Sequence, residues 1–524
     1  MLKQFGRLAG ALLFFVLAQP VLAEPMVLNR GTSAEPPTLD PTLGAGTLAA
    51  PIIADLFSGL LDRGADGVLV PGCAESWSVS DDGKTYTFKL REGLKWSDGR
   101  ELTSQDFVYS YQRLMDPATA SRLVGVFYPI KNARAVLAKK EPVEALGVSA
   151  PDSRTVVFEL EQRTPYFVEL VGNARVAPVP EHVIKAHGRS WSRPDTMVSN
   201  GPYKLVGRVP QSYIRLEKNP FYHEADAVPI DVVNWNPTQN LATSFKRFRA
   251  GELDIVLNFP PAQIDWIREN IPQALHITSN LGVYFLVINM RKPPFDDVRV
   301  RQALSIAVDR DAITDRLLRT GVKPAYGFVT PAITGYDGVD IPERQLAFPA
   351  RQAKARELLA QAGYGPDKPL QFELAYDTNE ENRKIMVALA AMWQAIGARA
   401  QLTDVEFGLL NRKVRTRDFD IARWFYVAPY DDPYAMLQLF LSDNPNNWPG
   451  VRSEKFDALM QASNMTTNSA ERLALLAEAE TELLAAHPVV PVSLYVGRRL
   501  VASRVKGWID NPSGPPLSRY LWLE

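Results

Sequence analysis

An α/β fold divided over more than one domain is the architecture this sequence predicts, on three observations. The chain has 524 residues, a length that normally exceeds one domain. Period-2 strand patterns and period-3.6 helix patterns recur along it, neither strictly alternating nor segregated into halves. Pro-rich breaks at Glu35-Pro36-Pro37, Pro178-Val179-Pro180, Pro260-Pro261 and Pro512 to Pro516 separate the patterned segments.

Taken in order, residues 1–23 predict an export signal. Lys3 and Arg7 precede an apolar run from Leu8 to Ala18, and Val21-Leu22-Ala23 supplies small residues for cleavage before Glu24. The run is shorter than the roughly 20 apolar residues of a spanning helix. No Cys stands at the cleavage point, which disfavours a lipid anchor and points to a free periplasmic protein. Next, Ser80-Asp81-Asp82-Gly83 predicts a turn, and Tyr86, Phe88 and Leu90 alternate with Thr85, Thr87 and Lys89 as in a half-buried strand. Trp96-Ser97-Asp98-Gly99 turns the chain again. Thr103, with Asp106 three residues on, then caps a helix carrying Phe107, Tyr111 and Leu114 on one face. Strand patterns follow at Thr155 to Leu160, Tyr213 to Glu217 and Val283 to Ile288. Asp297 opens a helix with Val300, Leu304 and Ala307. Ile385, Leu389, Trp393 and Ile396 form the apolar stripe of another, ended by Gly397, and a third runs from Ala470 to Ala486.

Composition narrows the functional classes. With 46% hydrophobic residues, 22% charged and a net charge of −1, the chain can bury a large core and carries no bulk charge for nucleic acid or an anionic membrane. A single cysteine, Cys73, cannot form an internal bridge, so stability rests on core burial. Gly44 to Ala49 matches a GxGxxA pattern, but Pro36, Pro37 and Pro41 stand where a dinucleotide site needs a buried strand. His223-Glu224 lacks the second His of a zinc helix, and no GxSxG elbow exists. The expectation is therefore a protein that is not an enzyme and needs no metal or cofactor.

Several segments carry a more specific message. Ala74 to Gly99 (AESWSVSDDGKTYTFKLREGLKWSDG), Ser199-Asn200-Gly201-Pro202-Tyr203, Leu216-Glu217-Lys218-Asn219-Pro220, Asn289 to Ile313 and Phe419 to Phe425 (FDIARWF) resemble, in the same order, the family-5 extracellular solute-binding proteins of ABC importers. The resemblance covers nearly all the chain after residue 23. It implies a periplasmic-binding-protein type II-like fold, two lobes around a cleft with an extra inserted domain. Mapped here, lobe I comprises residues 24–56, 178–279 and 491–524, the inserted domain 57–177 and lobe III 280–490, with a hinge near Asn280 and Val490. It also implies a monomer that captures a peptide or peptide-like solute by lobe closure and hands it to a membrane permease served by separate ATPase subunits. Sensing on behalf of a membrane receptor is the non-transport alternative. Some relatives bridge two positions that match Gly282 and Val427, a feature absent from this chain.

Cleft residues follow from chemistry and from the resemblance together. A captured charge must be matched, and the planar guanidinium fork suits a carboxylate. Arg423 is the candidate, with a structural ion pair to a residue such as Asp420 as the competing reading. Phe407 and Tyr426 match positions where relatives place tryptophans along side-chain pockets; core packing is the alternative for Phe407. The Ala45-Gly46-Thr47 loop, after Leu39-Asp40-Pro41, is the implied strand-like contact to a ligand backbone, with Ala45 where relatives carry an acid. A carboxylate-directed His of some relatives falls on Asn382. Pro429 falls where peptide-binding relatives hold the ligand's α-amino group with an Asp. Either Asp431 or Asp432 takes over the amine, or the ligand has none, as in a modified peptide, an opine-like or a saccharide solute.

Overall fold

The computed structural model describes residues 24–44 and 48–524. The expected signal segment and the Ala45-Gly46-Thr47 loop lie outside the described residues. Strand β1 (Val27–Thr32) opens a large mixed sheet. The chain then leaves it for a separate antiparallel sheet of β2 (Ala74–Val79), β3 (Thr85–Leu90), β4 (Val148–Asp152) and β5 (Thr155–Glu159), in the order β2-β3-β5-β4. Between them lies helix α1 (Ser104–Met115), whose first turn is capped as its sequence predicts: the Thr103 N–H donates to the Asp106 carboxylate at 2.8 Å. The Ser80 turn closes the β2–β3 hairpin, with Gly83 at φ +67° and its N–H bonded to the Ser80 carbonyl. That backbone conformation is open to glycine at little cost.

The large sheet resumes with β6 (Tyr203–Val209), β7 (Tyr213–Lys218), β8 (Val232–Pro237) and β9 (Ile255–Val256). Strand β10 (Leu275–Ile288) carries the chain onward to helices α2 (Val298–Ile306) and α3 (Glu380–Gln394), to strands β11 (Leu370–Asp377), β12 (Ala398–Val405) and β13 (Ile421–Val427), and to helices α4 (Phe407–Thr416) and α5 (Ser469–Ala485). Strand β14 (Val489–Val501) brings it back. The ten strands lie in the order β12-β11-β13-β10-β14-β9-β1-β8-β7-β6.

The helical stripe predicted on α3 is buried as expected: Ile385, Leu389 and Trp393 are at most 1% exposed, and Gly397 ends the element at φ +89°. Beneath the two central strands the core is almost wholly aliphatic and aromatic, from Val283 to Ile288 on β10 and Val489 to Val492 on β14.

β10 and β14 are the two long strands and they pair with each other twice. Leu275 to Ser279 face Val496 to Leu500, and Val283 to Val287 face Val489 to Leu494, with a register shift between the two stretches. Strand β9 joins β14 at one end of this ribbon and β13 joins β10 at the other. Three residues of β10 therefore oppose one of β14 at the shift, a bulge that bends and twists the ribbon. Gly282, inside it, sits opposite Val427; a Cβ there would lie 2.8 Å from the Tyr426 carbonyl oxygen.

Candidate functional site

Strand β13 is an apolar run interrupted by one cation. Pairing with β10 sets Leu286 opposite Arg423 and Tyr284 opposite Phe425, so these four side chains share one face of the sheet. The Arg423 guanidinium lies 4.7 Å from the Tyr284 ring centroid and 5.0 Å from that of Phe425, cation–π distances. Its Nη1 donates to Asp377 Oδ1 at 2.9 Å. That oxygen also accepts from Asn382 Nδ2 at 3.0 Å, and Asn382 Oδ1 accepts from the Tyr284 hydroxyl at 3.1 Å.

Arg423, Asp377, Asn382 and Tyr284 thus form one hydrogen-bonded cluster. Burial disfavours the charged guanidinium, yet Tyr284 and Asp377 outweigh it and raise the pKa of Arg423. The ion-pair partner is Asp377 at the end of β11. Asp420 is engaged elsewhere, with Lys292 at 3.3 Å and the Glu373 N–H at 3.1 Å. Asn382 sits in the first turn of α3, where the Asn379 side chain accepts from the Glu381 and Asn382 N–H groups. Both ends of its amide are committed to the cluster.

A second guanidinium reaches the same turn from β14. Arg498, opposite Ile277, places Nη1 3.6 Å from Glu381 Oε2, beyond hydrogen-bond reach, and this buried nitrogen has no hydrogen-bond partner among the described residues. Sequence reasoning missed Arg498, Tyr284, Asp377 and Glu381. The signal for Arg498 was present: two adjacent arginines inside a strand that is otherwise nearly all apolar.

The two aromatic candidates behave differently. Phe407, first residue of α4, is 42% exposed and lies parallel to the Trp424 ring at 6.1 Å, so it is not core. Tyr426 is three residues from Arg423, and strand alternation places it on the opposite face, with Trp424. Its hydroxyl donates to the Ala435 carbonyl at 3.1 Å. It anchors the turn after β13.

That turn carries Pro429, Asp431 and Asp432. Asp432 is buried and receives both terminal nitrogens of Arg472, at 2.7 and 2.9 Å, together with the Tyr434 N–H at 2.8 Å. Its charge is already matched by Arg472. Asp431 accepts from the Thr334 N–H at 2.9 Å and the Thr334 hydroxyl at 2.6 Å. Around it the four-stranded region meets this turn: Tyr166 stacks on Tyr430 and Tyr434 with centroids 5.0 and 4.9 Å away, and the Asp431 N–H donates to Glu169 at 3.4 Å. The sequence candidates therefore fall into two groups, Arg423 with Asn382 and Pro429 with Asp431 and Asp432. Among the described residues no cluster of three His, Cys, Asp or Glu could hold a metal ion, and no helix is long and apolar enough to cross a membrane.

Comparison with known proteins places this geometry. Residues 68–448 match the model of the bacterial extracellular solute-binding proteins, family 5 Middle. The chain is 37% identical over 506 residues to the periplasmic oligopeptide-binding protein OppA of Escherichia coli, covering 95% of this chain and 92% of that one. It is 36% identical over 514 residues to the "Probable deoxycholate-binding periplasmic protein YgiS" of the same organism, covering 97% and 96%. The solved structure of the Escherichia coli murein tripeptide binding protein MppA superposes with a TM-score of 0.83 at 34% identity, over 96% of this chain and 99% of that one. These matches establish the type II-like α/β architecture expected from the sequence. With near-complete coverage in sequence and structure, the chain belongs to family 5 of the bacterial extracellular solute-binding proteins.

Proposed function

We propose that this protein is the periplasmic solute-binding component of an ABC importer, capturing a peptide or peptide-like solute and delivering it to a membrane permease with separate ATPase subunits. The observation that carries the reading is the ribbon of β10 and β14: both strands run through both halves of the large sheet and change register between Ser279 and Val283 and again between Tyr284 and Phe285. Two strands with a shared irregularity form a hinge on which residues 24–56, 178–279 and 491–524 close against 280–490, with 57–177 as the inserted domain. Closure assembles a site from groups on both halves, and ligand contacts to both shift the open–closed equilibrium. Arg423 supplies a cation to an acidic group of the solute. The solute is released unchanged, since the protein works as a carrier rather than a catalyst.

Membership of the family and the named functions of its relatives, oligopeptide and murein tripeptide binding, support a peptide. A specific observation favours a second reading, a ligand without a free amine. Position 429 is a proline, Asp432 is paired with Arg472, and Asp431 is bound by Thr334. One relative at 36% identity is named for deoxycholate, a carboxylate without an amine. Mass spectrometry of the ligand released from protein purified from its own periplasm tests both readings. A peptide with a free α-amine supports the first; an amine-free acid supports the second; a chemically altered product after incubation with a peptide library removes the carrier reading. The mature chain should begin at Glu24, and N-terminal sequencing that finds Met1 on exported material would remove the export signal.

A further inference from the structure

Two guanidinium groups from opposite halves of the hinge ribbon converge on the first turn of α3. Arg498 stands on the stretch of β14 that pairs with Leu275 to Ser279; Arg423 stands on β13, which pairs with the other stretch of β10. Arg498 approaches Glu381, and Arg423 reaches the adjacent Asn382 through Asp377. Both side chains are largely buried, with 14% and 7% of their surface exposed.

The state of their donors is unusual. Arg498 makes no hydrogen bond among the described residues, and its Nη1 is sealed from solvent. A buried N–H without an acceptor is costly, and more so on a charged group. Glu381 is the nearest acid, too distant to bond, with about a third of its side-chain surface exposed. The helix end supplies no free donors to explain the arrangement, because Asn379 already caps Glu381 and Asn382. The neighbouring Arg499 alternates to the other face of β14, and its Nη1 is likewise buried without a hydrogen-bond partner among the described residues. Burial lowers its pKa, with Asp510 and Arg30 as the charges it feels, so what singles out Arg498 is its approach to Glu381 at the turn that Arg423 also reaches.

We infer that Arg498 is a second anion-binding group of this protein, which together with Arg423 clamps the carboxylate of a solute across the hinge and makes the protein selective for acids. The inference rests on the solute-binding reading above. A carboxylate has lone pairs for several donors, so an incoming acid satisfies the Arg498 Nη group that Glu381 leaves unfilled, and Glu381 swings toward solvent. The two arginines come from opposite halves, so binding one carboxylate holds the halves together. The clamp asks nothing of an amine. It takes the C-terminal carboxylate of a peptide or the acid group of an amine-free solute equally.

Titration calorimetry with two acid/amide pairs tests it: trialanine with trialaninamide, and 4-phenylbutyrate with 4-phenylbutyramide, against wild type, Arg498→Met, Arg498→Lys and Glu381→Gln. In wild type, at least one acid should bind about ten- to a hundredfold tighter than its amide, the range expected for charge-assisted hydrogen bonds. Arg498→Met should lower that preference about tenfold with amide binding unchanged; Arg498→Lys, which keeps the charge and the fold but loses the planar fork, should fall between. Glu381→Gln should leave the acid preference intact or raise it. Acid preference only for 4-phenylbutyrate would remove the peptide reading and leave the clamp standing. Equal binding of acids and amides by wild type, absence of binding by both acids, or an acid preference untouched in both Arg498 variants would overturn the clamp.

Discussion

Four arginines, three of them buried and Arg498 nearly so, divide into two kinds by how fully their donors are bonded. Near the chain terminus, Arg519 makes four side-chain hydrogen bonds, to Asp62, the Tyr222 and Tyr520 hydroxyls and the Arg63 carbonyl. Arg472 gives both terminal nitrogens to Asp432. Around the β10–β14 ribbon, Arg423 donates one bond and Arg498 none. Unpaired Nε atoms occur in Arg30, Arg472 and Arg519 as well as Arg423, so among these four the terminal nitrogens carry the distinction; Arg499, beside Arg498, also has a buried Nη1 without a partner among the described residues. A buried ion pair that is fully bonded holds structure in place, whereas one left open keeps donors for something that arrives later.

The largest effect should come from breaking a closed pair. Arg519→Met leaves Asp62 buried beside two hydroxyls without its cation, and equilibrium urea unfolding should show a loss of about 3–5 kcal/mol. A loss under about 1 kcal/mol would erase the distinction. Arg423→Ala should cost less stability than Arg519→Met, because Asp377 keeps the Asn382 amide as a donor, while affinity for an acidic ligand weakens by about 2–5 kcal/mol in calorimetry. Unchanged affinity in a normally folded variant would move Arg423 to the supporting kind.

The contrast extends to carboxylates packed against α5. Asp432 has Arg472 as its cation, but Glu480 has only the Phe328 and Val329 N–H groups and the Tyr336 hydroxyl. Burial pushes the Glu480 carboxyl up from 4.5 to about 7. Its folded pKa exceeds its unfolded one, so the folded state binds more protons in that window. Stability from this group is complete below about pH 4.5 and falls as pH rises toward 7, by up to about 3 kcal/mol. Unfolding free energies across that range should lose this slope in Glu480→Gln. The smallest effect belongs to the seam: Tyr166→Leu keeps apolar bulk and removes two stacking contacts of about 0.5–1.5 kcal/mol each. Small-angle scattering of the liganded protein should then show a modestly larger open fraction. No change would mean that the seam plays no part in closure.

Much of the local structure was legible because it depends on neighbours in the chain. The Thr103–Asp106 cap, the Ser80 turn and the α3 stripe each need only residues within a turn or two. Arg423 was legible from guanidinium chemistry and the family wording, but the partner of its ion pair was not: the competing reading named Asp420, a neighbour in sequence, and the structure supplies Asp377. Asp377 is 46 residues away and arrives through the β11–β13 pairing. The face on which Tyr426 lies, opposite to that of Arg423, needs the strand itself, because β13 alternates its side chains. Asp432 looked like an available acid because Arg472, 40 residues on, gives no local sign of its bidentate bond.

The sequence alone determined the fold class and the family, because periodicity, capping and motif wording are written in short stretches of chain. Only the tertiary structure decided which charges are spent and which remain open. That depends on register and on contacts between segments hundreds of residues apart, such as the β10–β14 ribbon that brings Arg498 to Glu381. A guanidinium is the same residue in either setting. Whether it supports the fold or receives a solute is set by how many acceptors folding delivers to it, and by how much water folding takes away.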